Sequence, residues 1–526
     1  MTLKRELVAS CMKWQKRLLI AVGLLVTALS LMVLTFHMRG LRMWEDFCAK
    51  ARAAGEPITL EDVIPEAVPD DENVARAQIF WELFESKSSA RLAKITLKSS
   101  YRRDSDGELI GVPRGWVVRG DNTYAREWLE FVKGSEAESS KSEAPALEHS
   151  LPSNAGQELQ LRLAQYNPIW NDLGTAVRRP RCRWPLDYEE GARMKSPHHT
   201  EILGLHPLLK ARLIAHATCD DTDQYIHDLT TGFLLSRHLS DTQLSLLSFL
   251  VANAMRTVVL DTMQRTADAV TWNEKDLAMI QELASTQAIS DLVQSLKKEQ
   301  ALGADMLLKI HVDELAPLLD GDFGSMLSGE SDQLKELQAT LILSRPSGWK
   351  LGELAQHYGE SRKLWMQYTS RDLQYILPGG LEALRNRGQH FDEHAHWLSF
   401  DSVLAVAEGV TPKMFERAMR VQALSNAAVI WCAVGRYRLK HGQLPESLER
   451  LVPEFVKEIP VDPMFGGPMR YLKKESGGFL IYSIGPNGID DGGQGSGGTR
   501  DLDWVWASGP GLTPAENNDV KENDEK

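Results

Sequence analysis

The stretch SDTQLSLLSFLVANAMRTV, residues 240–258, decides the fold class. Leu244, Leu247, Val251, Met255 and Val258 recur at steps of three and four residues. That spacing puts apolar side chains on one face of an α-helix. Ser240 followed by Gln243 forms a capping-box signature, so the pattern predicts a helix opening at Ser240. On the N-terminal side, two shorter helical patterns, 207–217 and 223–239, are joined by CDDT at 219–222. On the C-terminal side, Asn273 is placed to cap a helix whose face carries Leu277, Ile280 and Leu283. Amphipathic helices joined by short loops read as antiparallel hairpins. Over residues 157–410 the pattern predicts a helical hairpin or repeat-like bundle, of the architecture that tetratricopeptide arrays build, without their consensus.

Toward the N-terminus, LLIAVGLLVTALSLMVLTF at 18–36 carries no charge. As a helix it spans about 28 Å, close to the hydrocarbon thickness of a bilayer. Trp14 sits at its near edge, where an amphipathic ring prefers the interface. The alternative is a cleaved signal peptide, but the run is long for one, and TFHMRGLRM at its far end offers no small-residue cleavage site. An uncleaved signal anchor is expected. Lys4, Arg5, Lys13, Lys16 and Arg17 precede the span, while Arg39, Arg42, Lys50 and Arg52 follow it. A short basic tail, residues 1–17, on the cytoplasmic side and a large translocated body is the expected arrangement.

Between span and bundle, residues 37–133 read as juxtamembrane helices with a small β element. One helical pattern covers 38–54 and ends at Gly55-Glu56-Pro57. A second covers 73–85. The turn signals DSDG and VPRG within 97–122 suggest a hairpin. Residues 134–156, serine-rich and polar, read as a flexible linker. The net charge of −13 argues against a nucleic-acid partner. Five cysteines with no CxxC pair supply neither a disulfide framework nor a thiolate zinc site. A Cys182–Cys219 bridge is conceivable, though spacing alone does not support it.

At the C-terminal end, Thr411-Pro412 reads as the opening of the last long helix, with Met414, Ala418, Val421, Ala428 and Cys432 on one face and Gly442 closing it. A short helix in PESLERLV follows, then the extended IPVDP. Residues 470–472 and 479–484 read as strands across an ESGG turn, and Leu502, Trp504 and Trp506 alternate as a third. The run RYRLKHGQLPESLERLVPEFVKEIPVDPMFGGPMRYLKKESGGFLIYSIGPNGIDDGG resembles the extracytoplasmic part of type II secretion pseudopilins. That family shares the proline-led short helix, LVP, a DP turn before the first strand, and YSxGPNG before an acidic loop. The whole chain also resembles bacterial membrane-anchored helical proteins of uncharacterised role. The charged residues at 509–526 read as a disordered tail, and the resemblance implies a small α+β module over 411–508. It also implies a bacterial inner-membrane location, with the bulk of the chain extracytoplasmic. Pseudopilins have a peptidase site and a glutamate at the start of their membrane helix, and KWQKRLLIAVG has neither. A borrowed fold is therefore expected rather than a borrowed role. Some major pseudopilins bind calcium in the acidic loop. Carried over here, the ligands would be Asp490, Asp491, Asp501 and Asp503, with calcium as the candidate cofactor. The other reading of this loop is a turn with solvated aspartates.

GQHFDEHAHW contains His390, Glu393 and His394 in the HxxEH order of inverted zinc proteases, with His396 nearby. A solvated helix face explains the same residues. His198-His199, with Glu201 and His206, reads as exposed histidines at a helix start. RRPRCRWP at 178–185 reads either as a grip on an acidic partner or as a connector paired with Asp187, Glu189 and Glu190. The fold class is thus mainly α, with an N-terminal membrane helix and a C-terminal pseudopilin-like module. The expected function is a non-enzymatic envelope scaffold or binding protein with protein partners and the lipid bilayer. The alternatives are an HxxEH-type zinc hydrolase and a secretion-system component.

Overall fold

The fold is seen in a computed structural model, which describes residues 2–85, 92, 102–103, 109–110, 113, 117, 121–139, 154–242, 244–315, 332–394, 401–495 and 503–509. It is mainly helical, with a small antiparallel sheet near the C-terminus and an apolar N-terminal helix. In chain order the helices are α1 (Thr2–Ala53), α2 (Gln78–Glu85), α3 (Thr123–Ser139), α4 (Ala155–Leu163), α5 (Asn167–Ala176), α6 (Pro197–Gly204), α7 (His206–Thr218) and α8 (Thr222–Asp241). They continue with α9 (Leu246–Thr266), α10 (Glu274–Ala284), α11 (Ala288–Lys309), α12 (Val312–Leu315), α13 (Asp332–Leu343), α14 (Ser347–Tyr368), α15 (Gly380–His394) and α16 (Asp401–His441). A two-residue hairpin pairs β1 (Arg102–Arg103) with β2 (Leu109–Ile110). Later come β3 (Val461–Asp462) paired with β4 (Gly467–Pro468), and the antiparallel sheet β5 (Arg470–Lys473), β6 (Phe479–Ser483), β7 (Trp504–Ser508) in that spatial order.

The chain divides into two compact units, each discontinuous in sequence: Met1–Asp62, Gln300–Gln367 and Glu382–Pro412 form one; Val63–Glu299, Tyr368–Leu381 and Lys413–Lys526 form the other. The sequence reading instead divides the chain into consecutive segments. Hairpins of neighbouring helices account for much of the larger unit: α7 packs on α8, α8 on α9, and α4 on both α3 and α7. Helix α7 is central, because Leu208, Leu209, Ala211, Leu213, Ile214 and Ala215 are all at most 1% exposed. Apolar burial around so much of its circumference places this helix inside the core. The segment Leu246–Ala269 is long and apolar enough to cross a membrane, yet 61% of its most apolar window is buried, as in a core helix.

Two helix starts differ from the sequence reading. Ser240 stays inside α8, and its hydroxyl donates to Asp291 at 2.9 Å. The cap of α9 is Ser245, whose backbone is extended and whose Oγ accepts from the Ser248 N–H. Thr411-Pro412 does not open a helix either. Helix α16 runs through it, with Pro412 inside. Pro412 removes one backbone donor, but Glu408 and Thr411 are each 3% exposed, and their packing holds the helix through the break. Asn273 does cap α10, accepting from the Asp276 N–H at 2.9 Å. Gly442 closes α16 at φ 73°.

In the C-terminal sheet, β6 lies between β5 and β7, with Arg470 opposite Tyr482 and Ile481 opposite Trp506. All five residues of β6 are buried. Phe479, Ile481 and Trp506 join the main helical core, while Leu480, Tyr482 and Ala507 form a separate small cluster. Asp462, 1% exposed, ties the strand entry to the end of β6. Its carboxylate accepts from Ser483 Oγ at 2.6 Å, the Met464 N–H at 2.9 Å, the Ile484 N–H at 3.1 Å and Arg470 at 3.2 Å.

The smaller unit contains α1, whose C-terminal half carries Trp44, Phe47, Cys48 and Ala51 against other apolar side chains. Arg362 fixes the turn after α1, donating to Glu56 Oε2 at 2.8 Å and to the Pro57 carbonyl at 3.1 Å.

Candidate functional site

The polar centre of the larger unit is built on α7 and α8. In HPLLKARLIAHAT, Arg212 and His216 are one helical turn apart on an otherwise apolar helix, so both point the same way. Asp228 on α8 faces them. Arg212 donates from Nε to Asp228 Oδ2 at 2.8 Å and from Nη2 to Oδ1 at 3.3 Å. Trp170 of α5 donates its indole N–H to Asp228 Oδ1 at 2.6 Å, and Arg212 Nη1 donates to Asn167 Oδ1 at 2.6 Å. Arg212 is 2% exposed and Asp228 0%. Such charges persist in a core only when paired and fully hydrogen-bonded. Burial alone would raise the Asp228 pKa. Bonds to His216 and His227, with the Arg212 charge, outweigh that and hold the carboxyl well below its usual range. Gly174 leaves room for the His227 ring, since a Cβ there would lie 2.8 Å from it.

His216 lies between two carboxylates: Nε2 is 3.4 Å from Asp228 Oδ2, and Nδ1 is 3.2 Å from Asp221 Oδ2. Gln160 Nε2 lies 3.0 Å from the same Nδ1. Gln160, Asn167, Arg212, His216, Asp221 and Gln224 line a pocket of about 190 Å³, and Leu163 and Ala215 complete its lining. Among these residues the pocket has no hydroxyl, thiol or amine. It presents a charged, hydrogen-bonding floor suited to holding a small polar group. Sequence reading missed this site. The available signal was the placement of Arg212 and Asp228 within otherwise apolar helical stretches.

The predicted acidic loop is differently occupied. Asp490 accepts from Arg470 Nε at 2.8 Å, from the Tyr482 hydroxyl at 3.2 Å and from the Gly492 N–H at 3.0 Å. Asp491 accepts from Asn487 at 3.0 Å. Asp503, 1% exposed, accepts the Gly493 N–H at 2.8 Å through Oδ2, while its Oδ1 is buried without a hydrogen-bond partner. Burial raises the Asp503 pKa, and the neighbouring Asp491 and Asp490 charges add to the rise against two backbone N–H donors. Asp501 lies outside the described residues. Among the described residues, no three His, Cys, Asp or Glu side chains form a group that could hold a metal. Both Asp490 oxygens accept N–H or O–H donors, Oδ2 from Arg470 and Oδ1 from Tyr482 and Gly492.

Helix α15 carries the HxxEH order through His394. The side chains of His390, Glu393 and His394, and all of His396, lie outside the described residues. On the same helix, Arg387 meets a buried group in the smaller unit. The Ser361 hydroxyl is held by the Glu408 carboxylate and the His357 carbonyl. His357 Nε2 and Arg387 Nε each lie 3.2 Å from Glu408 Oε1. Serine, histidine and glutamate are all present, yet Ser361 engages Glu408 rather than the imidazole. The nucleophile–base pair of a hydrolase is not formed.

The histidines at 198–199 are not exposed. His198 is 1% exposed and stacks on Trp184 with ring centroids 4.2 Å apart. Burial, with His199 beside it, pushes its pKa well down; burial pushes His199 and His206 to about 4. Of the four arginines of RRPRCRWP, two bind backbone, and Arg181 pairs with Glu72 at 3.8 Å rather than with Asp187, Glu189 or Glu190. Arg179 donates to the Asp70 and Asn73 carbonyls at 3.0 and 2.8 Å, and Arg183 to the Pro65 carbonyl at 3.1 Å. They satisfy an extended connection that has no ladder of its own. Cys182 and Cys219 are free thiols. No family model, curated protein or solved structure matches the chain.

Proposed function

We propose that the chain is a single-pass, membrane-anchored binding or scaffold protein of the bacterial envelope, with a non-enzymatic helical body on the extracytoplasmic side. One observation carries this reading. The segment Lys16–Ala53 is helical, its most apolar window has a mean hydropathy of 2.6, and none of that window is buried. Leu19 at 71%, Leu24 at 67% and Leu31 at 59% exposure would each leave a large apolar side chain in water. At about 25 cal/mol per Å² such a surface needs a cover, and a bilayer is the cover its length fits. The basic tail favours a cytoplasmic N-terminus. The polar pocket at Arg212 and His216 supports a binding role, because it offers several hydrogen-bonding groups to a small polar ligand. The long helix followed by a three-stranded antiparallel sheet supports a pseudopilin-like terminal module.

The test is fractionation followed by protease access. Carbonate at high pH should leave the intact polypeptide in the membrane pellet, and protease added to spheroplasts should degrade the body while sparing the span. Release by carbonate, or protection of the body, removes the reading.

A further inference from the structure

The end of the apolar run is locked to another helix of the same unit. Phe36, the last residue of that run, stacks on Trp349 of α14 with ring centroids 5.3 Å apart and planes 19° from parallel. One turn further on, α1 and α14 touch backbone to backbone. A Cβ on Gly40 would lie 1.8 Å from the Gly348 carbonyl oxygen, and one on Gly352 would lie 2.8 Å from the Gly40 Cα. The Gly348 N–H donates to His37 Nδ1 at 3.0 Å. Three glycines thus allow a crossing that any side chain would force apart. The depth of α14 relative to the span is therefore fixed. If residues 18–36 fill the hydrocarbon layer, the Trp349 ring lies at its boundary.

The chemistry around Trp349 suits that boundary. Arg345 Cζ lies 5.6 Å from the Trp349 ring centroid, and Arg345 pairs with Glu353 through both guanidinium ends. Lys350 Nζ donates to the Leu343 carbonyl at 3.3 Å. Tryptophan, arginine and lysine together are the residues that settle among lipid headgroups. Helix α13, which leads into this corner, turns Ala339 and Ile342 into the core. It leaves Leu337 at 49% and Leu341 at 39% exposure, one turn apart. We propose that the α13–α14 corner, formed by Leu337, Leu341, Arg345, Trp349 and Lys350, is a second membrane contact seated in the headgroup layer of the bilayer that α1 crosses. The occupant of this surface is lipid, because the corner continues directly from the last apolar residue of the span. The proposal rests on the membrane reading of α1.

Spin labels on the full-length protein in phosphatidylethanolamine–phosphatidylglycerol vesicles test it. Leu25→Cys reports the span, Leu341→Cys the corner and Leu161→Cys an exposed site on α4, each in a Cys11→Ser, Cys219→Ser background. The expected result is that labels at 25 and 341 relax more with oxygen than with a water-soluble nickel complex, the one at 341 from the shallower depth. The label at 161 should respond mainly to nickel. A label at 341 that behaves like the one at 161, while 25 reads lipid, overturns the proposal and leaves the anchor standing. A label at 25 that reads water overturns both. Leu337→Cys repeats the corner measurement if Leu341→Cys does not fold.

Discussion

Ser483 donates its hydroxyl to Asp462 at 2.6 Å, joining the DP turn to the YSxG strand end across 21 residues of chain. Two of the motifs on which the pseudopilin resemblance rests are therefore one hydrogen-bonded unit. Asp462→Ala strands the buried Ser483, Met464 and Ile484 donors together. The expected loss is about 2–3 kcal/mol, read as a lowered urea midpoint. Ser483→Ala removes one bond only and is expected to cost about 1 kcal/mol.

Arg212 and Asp228 predict an asymmetry. Arg212→Met leaves an uncompensated carboxylate in the core and is expected to destabilise by about 3–5 kcal/mol. Arg212→Met combined with Asp228→Leu removes both charges, and thermal melts should show much of the loss recovered. A double variant as unstable as the single one would mean that Trp170 and Asn167, rather than the charge pair, set the stability of this centre.

Acid should loosen the fold through its buried imidazoles. His199 and His206 are pushed down to about 4 and His357 to about 3, burial being the main cause in each. In the unfolded chain these groups take up protons near pH 6.5, whereas the folded state takes them up only near pH 3–4. Stability is therefore full above about pH 6.5 and falls as pH drops toward 4, by up to about 1.4 kcal/mol per pH unit per group. Denaturant midpoints between pH 7.5 and 4.5 should show the slope, and His199→Leu should flatten it.

The acidic loop gives a metal test with a clear sign. Because Asp490 is engaged by Arg470 and Tyr482, chelator and added calcium are both expected to leave the melting temperature unchanged. Asp490→Ala should still lower stability by up to about 1 kcal/mol through the lost, partly exposed pair. A rise in melting temperature with calcium that Asp503→Asn abolishes would restore the ligand reading.

Much of the helical layout is legible in the sequence because periodicity reports burial directly. The pattern at 207–217 becomes α7 and that at 223–239 becomes α8, with one-residue differences at the start and one or two at the end. Helix ends are less legible. Ser240 and Ser245 both suit a cap, and the choice falls to Ser245, since Ser240 is used by Asp291 from a distant helix. Pro412 reads as a helix start because a local rule cannot see the buried Glu408 one turn earlier. The Arg212 centre was illegible for a related reason. Its partners Gln160, Asn167, Trp170 and Asp228 come from other helices, and only the packing of those helices brings them together.

The interleaved path of the two units sets an order of events at the ribosome. Helix α1 emerges first, yet Gly348 and Gly352, on which Gly40 rests, are made some three hundred residues later. At roughly 5–20 residues per second that is a delay of about 15–60 s. During it α1 waits with its glycine notch still vacant. A stop codon anywhere before α14 would release a molecule whose α1 is never buttressed, and such truncated products should be rapid substrates for proteases.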